Sequence, residues 1–252
     1  MSNAVEVRDL RLRYGRRRAL DGLTFSLAAG RIHGLLGRNG SGKTSLLSVL
    51  AGYRRQSAGT VEVFGKPVFE NPECVRDIAF ATADLATFPS EERAKEALRA
   101  ARQLRPDWDE EFAGSLMELF EIPPRQRVAA LSRGKRSALG VVLGLASRAP
   151  LTIFDETYLG LDAPSRHAFY DALLTDYARH PRTIILSTHL IEEVGRLLEE
   201  VLLIEEGRVL EHEQLETLLG RGFTVTGEEG AVERYLSEAL ARGLTKIGDR
   251  SL

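Results

Sequence analysis

The chain has 252 residues, a net charge of −2 and an ordinary mixture of apolar and charged side chains. A chain of this length buries enough apolar surface to fold as one large domain, or as one domain with a small appendage, without disulfides or structural metals. The balanced charge gives no electrostatic basis for nucleic-acid binding, and no apolar run is long enough to span a membrane. The single cysteine, Cys74, excludes an internal disulfide.

The residue pattern in the first part of the chain predicts antiparallel strands, followed by a buried strand and a helix. Residues 4–30 alternate apolar and polar side chains, which is typical of antiparallel strands at a sheet edge. Residues 31–36 form a short apolar strand, and a helix is predicted over residues 44–51. Further strands are predicted over residues 60–64 and 78–81. The first residues lack the apolar core of a signal peptide, so we expect none.

The second part of the chain predicts a helical segment and then alternating strands and helices. The periodicity is helical over residues 89–120, and Pro123 and Pro124 end that segment. The alternation that follows indicates a mostly parallel sheet covered on both faces. Residues 212–252 have a weaker pattern, in which GFTVTG fits a strand and AVERYLSEALARGL a helix. The alternating elements are helix 132–147, strand 151–155, helix 163–178, strand 183–187, helix 190–199 and strand 201–205.

The stretch LLGRNGSGKTSLLSVLAG has the spacing of a phosphate-binding loop. Glycines let backbone N–H groups converge on phosphate oxygens, and the following helix adds its positive end. Lys43 is expected to reach the β- and γ-phosphates, and the Thr44 hydroxyl to ligate Mg²⁺. A glycine-rich turn that matches by chance is the alternative. The expected nucleotide contacts are Gly37, Arg38, Asn39, Gly40, Ser41, Gly42, Lys43, Thr44 and Ser45.

Two further strand ends bring candidate catalytic groups to the same rim of a parallel sheet. LTIFDE ends in Asp155, which can hold Mg²⁺, and in Glu156, which can polarise an attacking water. ILSTHL places His189 just past another strand, within reach of a γ-phosphate. The alternatives are an acidic turn that caps the next helix and an ordinary surface histidine.

Three other features each have two interpretations from the residues alone. ALSRGKRSALG is typical of a helix start, with Ser132 as the N-cap. The exposed cap, Gly134 and the positive charges would fit an anion site. From the residues alone, an ordinary capped helix is the favoured interpretation. Tyr14 either stacks on a nucleobase or packs against its neighbours. The basic run at residues 16–18 fits a solvated turn better than a binding patch.

Five motifs occur along the chain in this order: GRNGSGKT, LSRGK, LTIFDE, LGLD and STH. On these motifs, and up to about residue 210, the chain resembles the nucleotide-binding subunit of ATP-binding cassette (ABC) transporters. The resemblance implies an α/β fold: a RecA-like P-loop NTPase core with an N-terminal antiparallel β-subdomain and an inserted α-helical subdomain at about residues 85–140. Residues 1–211 would form this ABC ATPase domain, and residues 212–252 a small C-terminal appendage.

The resemblance also implies a dimer. Members of the family associate head to tail and hold two ATP molecules, each between the P-loop of one subunit and the signature loop of the other. Ser132 and Gly134 would therefore contact the γ-phosphate across the interface, with Asp162 in an interface loop. Tyr14 would stack on adenine.

The implied activity is ATP hydrolysis with Mg²⁺. Glu156 would be the catalytic base, His189 the switch histidine and Lys43 the phosphate-binding cation, with Thr44 and Asp155 at the metal. The implied partners are a separate membrane permease, for export, and a second copy or a paralogous ATPase subunit, without nucleic acid. The protein would be cytoplasmic and peripheral at the inner face of the cell membrane, touching the membrane only through the permease, which selects the cargo.

The sequence departs from the family pattern at four places. The signature at residues 131–135 is LSRGK where LSGGQ is usual, and residues 155–158 are DETY where DEPT is usual. No glutamine occurs at residues 82–84, where the family has one that senses Mg²⁺ and water. The helix after the signature is rich in small residues. We expect ATP binding to survive these changes, whereas they put the rate of hydrolysis in question.

A soluble ABC ATPase outside transport is the alternative function, either in cluster assembly or as a non-hydrolysing regulator. Translation factors of the family usually carry two cassettes, and this chain has one. Repair ATPases insert long coiled coils before the signature, and about 88 residues between Thr44 and Ser132 are too few for that.

Overall fold

The computed structural model describes residues 2–82, 91–188 and 194–221. The chain divides into two compact units, residues 1–215 and 216–252. In the second unit, the described part belongs to one helix that begins at Leu215. The strand and helix expected in GFTVTG and AVERYLSEALARGL lie outside the described residues. So do His189 and Asp84, the last of the residues 82–84 at which the family has its glutamine.

Strands and helices alternate through the described residues. The strands are β1 (Asn3–Tyr14), β2 (Arg17–Ala28), β3 (Ile32–Leu36), β4 (Ala58–Val63), β5 (Lys66–Pro67), β6 (Ile78–Thr82), β7 (Leu151–Asp155), β8 (Thr183–Thr188), β9 (Glu200–Glu205) and β10 (Arg208–Gln214). The helices are α1 (Lys43–Leu50), α2 (Pro72–Arg76), α3 (Ala94–Leu104), α4 (Glu110–Leu119), α5 (Arg133–Ala146), α6 (Ala163–Arg179) and α7 (Leu215–Arg221). Short 3₁₀ turns cover Val128–Ala130, Thr157–Gly160 and Gly195–Leu197.

Two sheets organise the first unit. One has four antiparallel strands in the order β2-β1-β4-β5, and the other has six strands in the order β10-β9-β3-β8-β7-β6. In the larger sheet β10 is antiparallel to β9, and the other pairings are parallel. The predicted α/β class with an N-terminal antiparallel sheet is confirmed. Residues 4–30 supply β1 and β2 of that separate sheet, in which β2 is an edge strand as predicted. Alternation identifies a buried face but not the sheet to which a strand belongs.

Helix α1 lies in the apolar core that both sheets share. Leu46, Leu47 and Leu50 are buried in one cluster with side chains of β1, β2, β7 and β9. The loop that precedes α1 is therefore attached to rigid elements at both of its ends.

Several element boundaries differ from the predictions. The helical segment breaks between α3 and α4, where Asp109 caps α4 by accepting a hydrogen bond from Phe112 N at 2.7 Å. Of the helix predicted over residues 190–199, residues 190–193 lie outside the described residues and Val194 is helical, but Gly195–Leu197 form a 3₁₀ turn, so the helix ends earlier than predicted. The short elements β5 and α2 escaped prediction because periodicity needs a longer run. Strand β10 pairs with β9 as far as Gln214, so part of the segment assigned to the appendage belongs to the larger sheet.

Gly144 in α5 provides a test of this packing. A Cβ at this position would lie 2.5 Å from Cε1 and 2.9 Å from Cζ of the buried Phe154 ring. We expect Gly144→Ala to lower the free energy of unfolding in urea by about 1–2 kcal/mol, because overpacking outweighs the gain in helix propensity. The control is Gly114→Ala in α4, where no described atom lies within 4 Å of the added Cβ and a gain of about 0.5–1 kcal/mol is expected. Equal stability of Gly144→Ala and the wild type would contradict this packing.

Candidate active site

A cleft with a volume of about 490 Å³ opens beside the loop between β3 and α1. The loop and the start of α1 form one wall, from Asn39 to Ser45. Tyr14 and the residues that follow it in the first hairpin contribute to the lining, as do Glu156 after β7 and Glu206 in the β9–β10 turn. Four segments that are distant in sequence therefore meet at one rim, where the strands β3 and β7 end.

Glycines determine the shape of the loop. Gly37 has φ 153°, and a Cβ there would collide with the carbonyl oxygen of Ile204. Gly42 has φ 110°, and its Cβ would lie 2.8 Å from the carbonyl oxygen of Ala19. A side chain at either position would force the loop away from its neighbours, so glycine is required for this path. The resulting loop precedes the N-terminus of a buried helix, an arrangement suited to phosphate.

Lys43 bridges the loop and the carboxylate that follows β7. The side chain is 5% exposed, and its Nζ donates hydrogen bonds to Gly37 O at 2.7 Å and to Arg38 O at 3.3 Å. The same nitrogen lies 3.4 Å from Glu156 Oε1. A buried cation and a partly exposed carboxylate thus stand together at the loop end of the cleft.

Asp155 is the buried carboxylate at the end of β7. Burial raises the pKa of this carboxyl, while the hydroxyls of Thr44 and Ser187 and the charge of Lys43 partly counteract the rise. No group in the described residues donates a hydrogen bond to its Oδ1. A buried carboxylate oxygen without a donor, beside the Thr44 hydroxyl, fits the oxygen ligands that Mg²⁺ prefers.

Glu156 has a left-handed backbone, with φ 50° and ψ 19°. Residues other than glycine adopt this conformation at a cost, and such positions are frequent at functional sites. Its side chain is 32% exposed and faces the cleft, where it can approach a ligand.

Tyr14 lines the same cleft as Glu156, although the two residues are far apart in the sequence. Its hydroxyl lies 3.5 Å from Ser45 Oγ, and the guanidinium of Arg54 lies over its ring, 5.1 Å from the ring centroid. A ring held in this way can stack on a flat base.

Sequence reasoning missed three charged groups of the cleft. Arg17 and Arg18 line it, although the basic run at residues 16–18 was expected to be a solvated turn. Glu206 also lines it, from the β9–β10 turn. The nearness of the two arginines to Tyr14 in the sequence could have indicated their place in the cleft. The turn of Glu206 reaches the cleft through tertiary contacts, such as the pairing of β9 with β3.

The ABC transporter family profile matches residues 20–158, more than half of the chain. The chain belongs to the ABC transporter family. The YtrB ABC transporter ATP-binding protein of Bacillus subtilis is 28% identical over 202 residues, which cover 80% of this chain and 69% of that protein. The Nod factor export ATP-binding protein I of Paraburkholderia xenovorans is 31% identical over 215 residues, which cover 81% of this chain and 69% of that protein.

A solved structure of an ATP-binding subunit of an ABC transporter superposes with a TM-score of 0.76 at 25% identity, covering 93% of this chain and 98% of that chain. This similarity confirms the predicted RecA-like core. The protein is an ABC transporter ATP-binding subunit, and as such an ATPase. No helix in the described residues is both long and apolar enough to cross a bilayer.

The signature residues of this ABC subunit begin α5. Ser132 Oγ accepts a hydrogen bond from Lys135 N at 3.2 Å, which confirms the predicted N-cap. Lys135, at the place of the usual glutamine, donates from Nζ to Phe120 O at 2.6 Å. Neither Ser132 nor Gly134 joins the described lining of the cleft in the same chain. Asp162 caps α6 by accepting from Ser165 N at 2.9 Å. Hydrogen bonding to the Ser165 side chain and then to its backbone N–H lowers the pKa of Asp162.

Asp155→Asn tests whether the buried carboxylate costs folding stability. The pKa of Asp155 is raised in the folded protein, so its ionised form is destabilising above that pKa. We expect Asp155→Asn to raise the free energy of unfolding in urea at pH 7 without Mg²⁺.

The matched control is Asp176→Asn, another buried aspartate. Its oxygens lie 2.7 Å from Arg182 Nη1 and 3.1 Å from Arg148 Nη2. Removal of this charge leaves the buried Arg182 without its carboxylate partner, whereas Arg148 keeps Asp109 at 2.8 Å, so we expect a loss of about 3 kcal/mol. A loss of stability in Asp155→Asn would show that the carboxylate is adequately paired without a metal.

Proposed function

We propose that this ABC subunit binds Mg²⁺-ATP in the cleft, hydrolyses it, and powers a separate membrane permease that exports its cargo. The observation that carries the proposal is the position of Lys43 Nζ, between the loop carbonyls and 3.4 Å from Glu156. The cation that binds phosphate and the carboxylate that activates water are thereby held at one point of the cleft.

Different residues of the cleft bind different parts of Mg²⁺-ATP in this proposal. The loop from Gly37 to Gly42 directs backbone N–H groups at the phosphates, and Lys43 neutralises part of their charge. Tyr14 stacks on adenine. Thr44 and Asp155 would hold Mg²⁺, which supplies positive charge to the phosphate oxygens when it is bound.

Glu156 is the catalytic base in this proposal, because its carboxylate lies at the phosphate end of the cleft. It accepts the proton of the water that attacks the γ-phosphorus, while the bond from that phosphorus to the β–γ bridging oxygen breaks and ADP leaves. The proposed switch histidine, His189, follows the neighbouring strand β8 in the sequence.

A second subunit completes the site. Ser132 and Gly134 stand at the N-terminus of a 14-residue helix whose first turn contains no acidic residue. Outside the cleft of their own chain, they are suited to the γ-phosphate that a second copy, or a paralogous ATPase subunit, holds. ATP binding then drives head-to-tail association, and hydrolysis reverses it.

Export is favoured by the relatives that are named for Nod factor export. The permease would be the only contact with the membrane, which places this subunit at its cytoplasmic face. The net charge of −2 supports a role without nucleic acid.

Glu156→Gln tests the proposed base. The amide keeps the size of the side chain but cannot accept the proton, so kcat should fall by about 10²–10⁴-fold. ATP affinity should stay within a few-fold, and light scattering should detect an ATP-bound dimer. Glu70→Gln is the control, because Glu70 is also a glutamate with positive φ, 55°, but is exposed outside the described cleft lining. Normal turnover in Glu156→Gln would exclude this residue as the base.

The partner is tested with the same variant. Glu156→Gln protein with Mg²⁺-ATP is used to capture proteins from detergent-solubilised native membranes, which are then identified by mass spectrometry. A stoichiometric protein with several membrane-spanning segments supports the transporter function. Recovery of soluble partners or of the homodimer alone would favour an ABC ATPase outside transport.

A further inference from the structure

The backbone leaves the regular strand geometry of β7 at Glu156 and in the turn that follows it. Glu156 adopts the left-handed conformation, and Thr157–Gly160 then form a 3₁₀ turn. A strained backbone of this kind persists only where neighbouring groups hold it. The first two residues of the turn, Thr157 and Tyr158, are both completely buried.

Thr157 attaches the turn to one neighbouring strand. Its Oγ1 donates a hydrogen bond to the carbonyl oxygen of Ala81 at 2.8 Å. Ala81 belongs to β6, the edge strand that pairs with β7. Proline, which is usual at this place in the family that the sequence resembles, has no hydroxyl and cannot make this bond.

Tyr158 attaches the turn to the strand on the other side of β7. Its hydroxyl donates to the carbonyl oxygen of Ser187, in β8, at 3.3 Å. Its ring stacks on Phe169 with 5.6 Å between centroids and meets Tyr170 edge to face at 5.7 Å. Both aromatic partners belong to α6, so this anchor combines a hydrogen bond with aromatic packing.

We propose that Thr157 and Tyr158 are positioning residues that hold the Glu156 carboxylate at the phosphate end of the cleft. They bind strands on opposite sides of β7, so together they prevent the backbone after Glu156 from turning to either side. Glu156 Oε1 is thereby kept 3.4 Å from Lys43 Nζ. The inference rests on the proposed role of Glu156 as the base, and both residues act through it.

Thr157→Val in the full chain is the direct test, because valine keeps the β-branched shape and removes the hydroxyl. We expect kcat for Mg²⁺-ATP hydrolysis to fall about tenfold with KM within about twofold, because a small displacement of a catalytic group affects the reacting geometry more than binding. Thr157→Ser retains the donor, so it should restore kcat to within about twofold of the wild type.

Thr152→Val is the matched control. Thr152 is also a buried threonine of β7, and its Oγ1 donates to the carbonyl oxygen of Ala149 at 3.1 Å, at the strand end remote from Glu156. This variant loses the same kind of bond, together with the hydroxyl oxygen that accepts from Arg182 Nε at 3.4 Å, so its thermal midpoint should fall while kcat stays at the wild-type value. An equal fall of kcat in Thr152→Val and Thr157→Val would show a general loss of stability and overturn the proposal.

The double variant Thr157→Val, Glu156→Gln isolates the positioning role. If Thr157 acts only through Glu156, the double variant has the same residual turnover as Glu156→Gln alone. Wild-type kcat in Thr157→Val, with Glu156→Gln inactive, would overturn the inference and leave the proposed function standing. Normal turnover in Glu156→Gln would instead overturn the base assignment, and the inference with it.

Tyr158→Phe decides the matter if Thr157→Val does not fold. It keeps the aromatic packing and removes only the hydroxyl that donates to Ser187. We expect a fall of kcat of about threefold or more without a change in KM. A folded Tyr158→Phe with wild-type kcat would overturn the proposal in that case.

Discussion

The glycine loop between β3 and α1 fits into a space that two other backbone segments close. Added Cβ atoms would lie 2.8 Å from the carbonyl oxygen of Ala19 at Gly42 and 2.5 Å from the same oxygen at Gly207. Gly207 N donates to Ser41 O at 2.8 Å, and Asp21 N donates to Gly207 O at 2.8 Å. Because glycines permit these close approaches, backbone hydrogen bonds join the loop, the first hairpin and the β9–β10 turn. The side chains of all three segments consequently face one cleft.

The charges of the cleft are arranged around this fixed loop. Lys43 is buried and held by the loop carbonyls, Asp155 is buried at the end of β7, and Glu156 is partly exposed beside them. A buried cation and a buried anion stabilise each other only with further partners. The polar groups of Thr44 and Ser187 supply part of this stabilisation, and bound Mg²⁺-ATP would supply the rest.

The departures from the family pattern have structural partners in this chain. Lys135 replaces a glutamine and binds the carbonyl at the C-terminal end of α4. Thr157 replaces a proline and binds β6, while Tyr158 fills the space beneath α6. These side chains connect the signature helix and the turn after Glu156 to their surroundings. The residues that differ from the family pattern therefore make contacts that fix the backbone around the cleft.

The sequence by itself determined those parts of the protein that depend on local pattern. Spacing and periodicity predicted the glycine loop, β7 with its two carboxylates and the cap at Ser132, because each needs only neighbouring residues. Tertiary structure alone decided that residues 4–30 belong to a separate four-stranded sheet, and that Arg17, Arg18 and Glu206 reach the cleft. It also decided the hydrogen bond that Thr157 donates, because the acceptor residue lies 76 residues away in the chain. Such contacts depend on how distant strands pair, and no local pattern encodes that pairing.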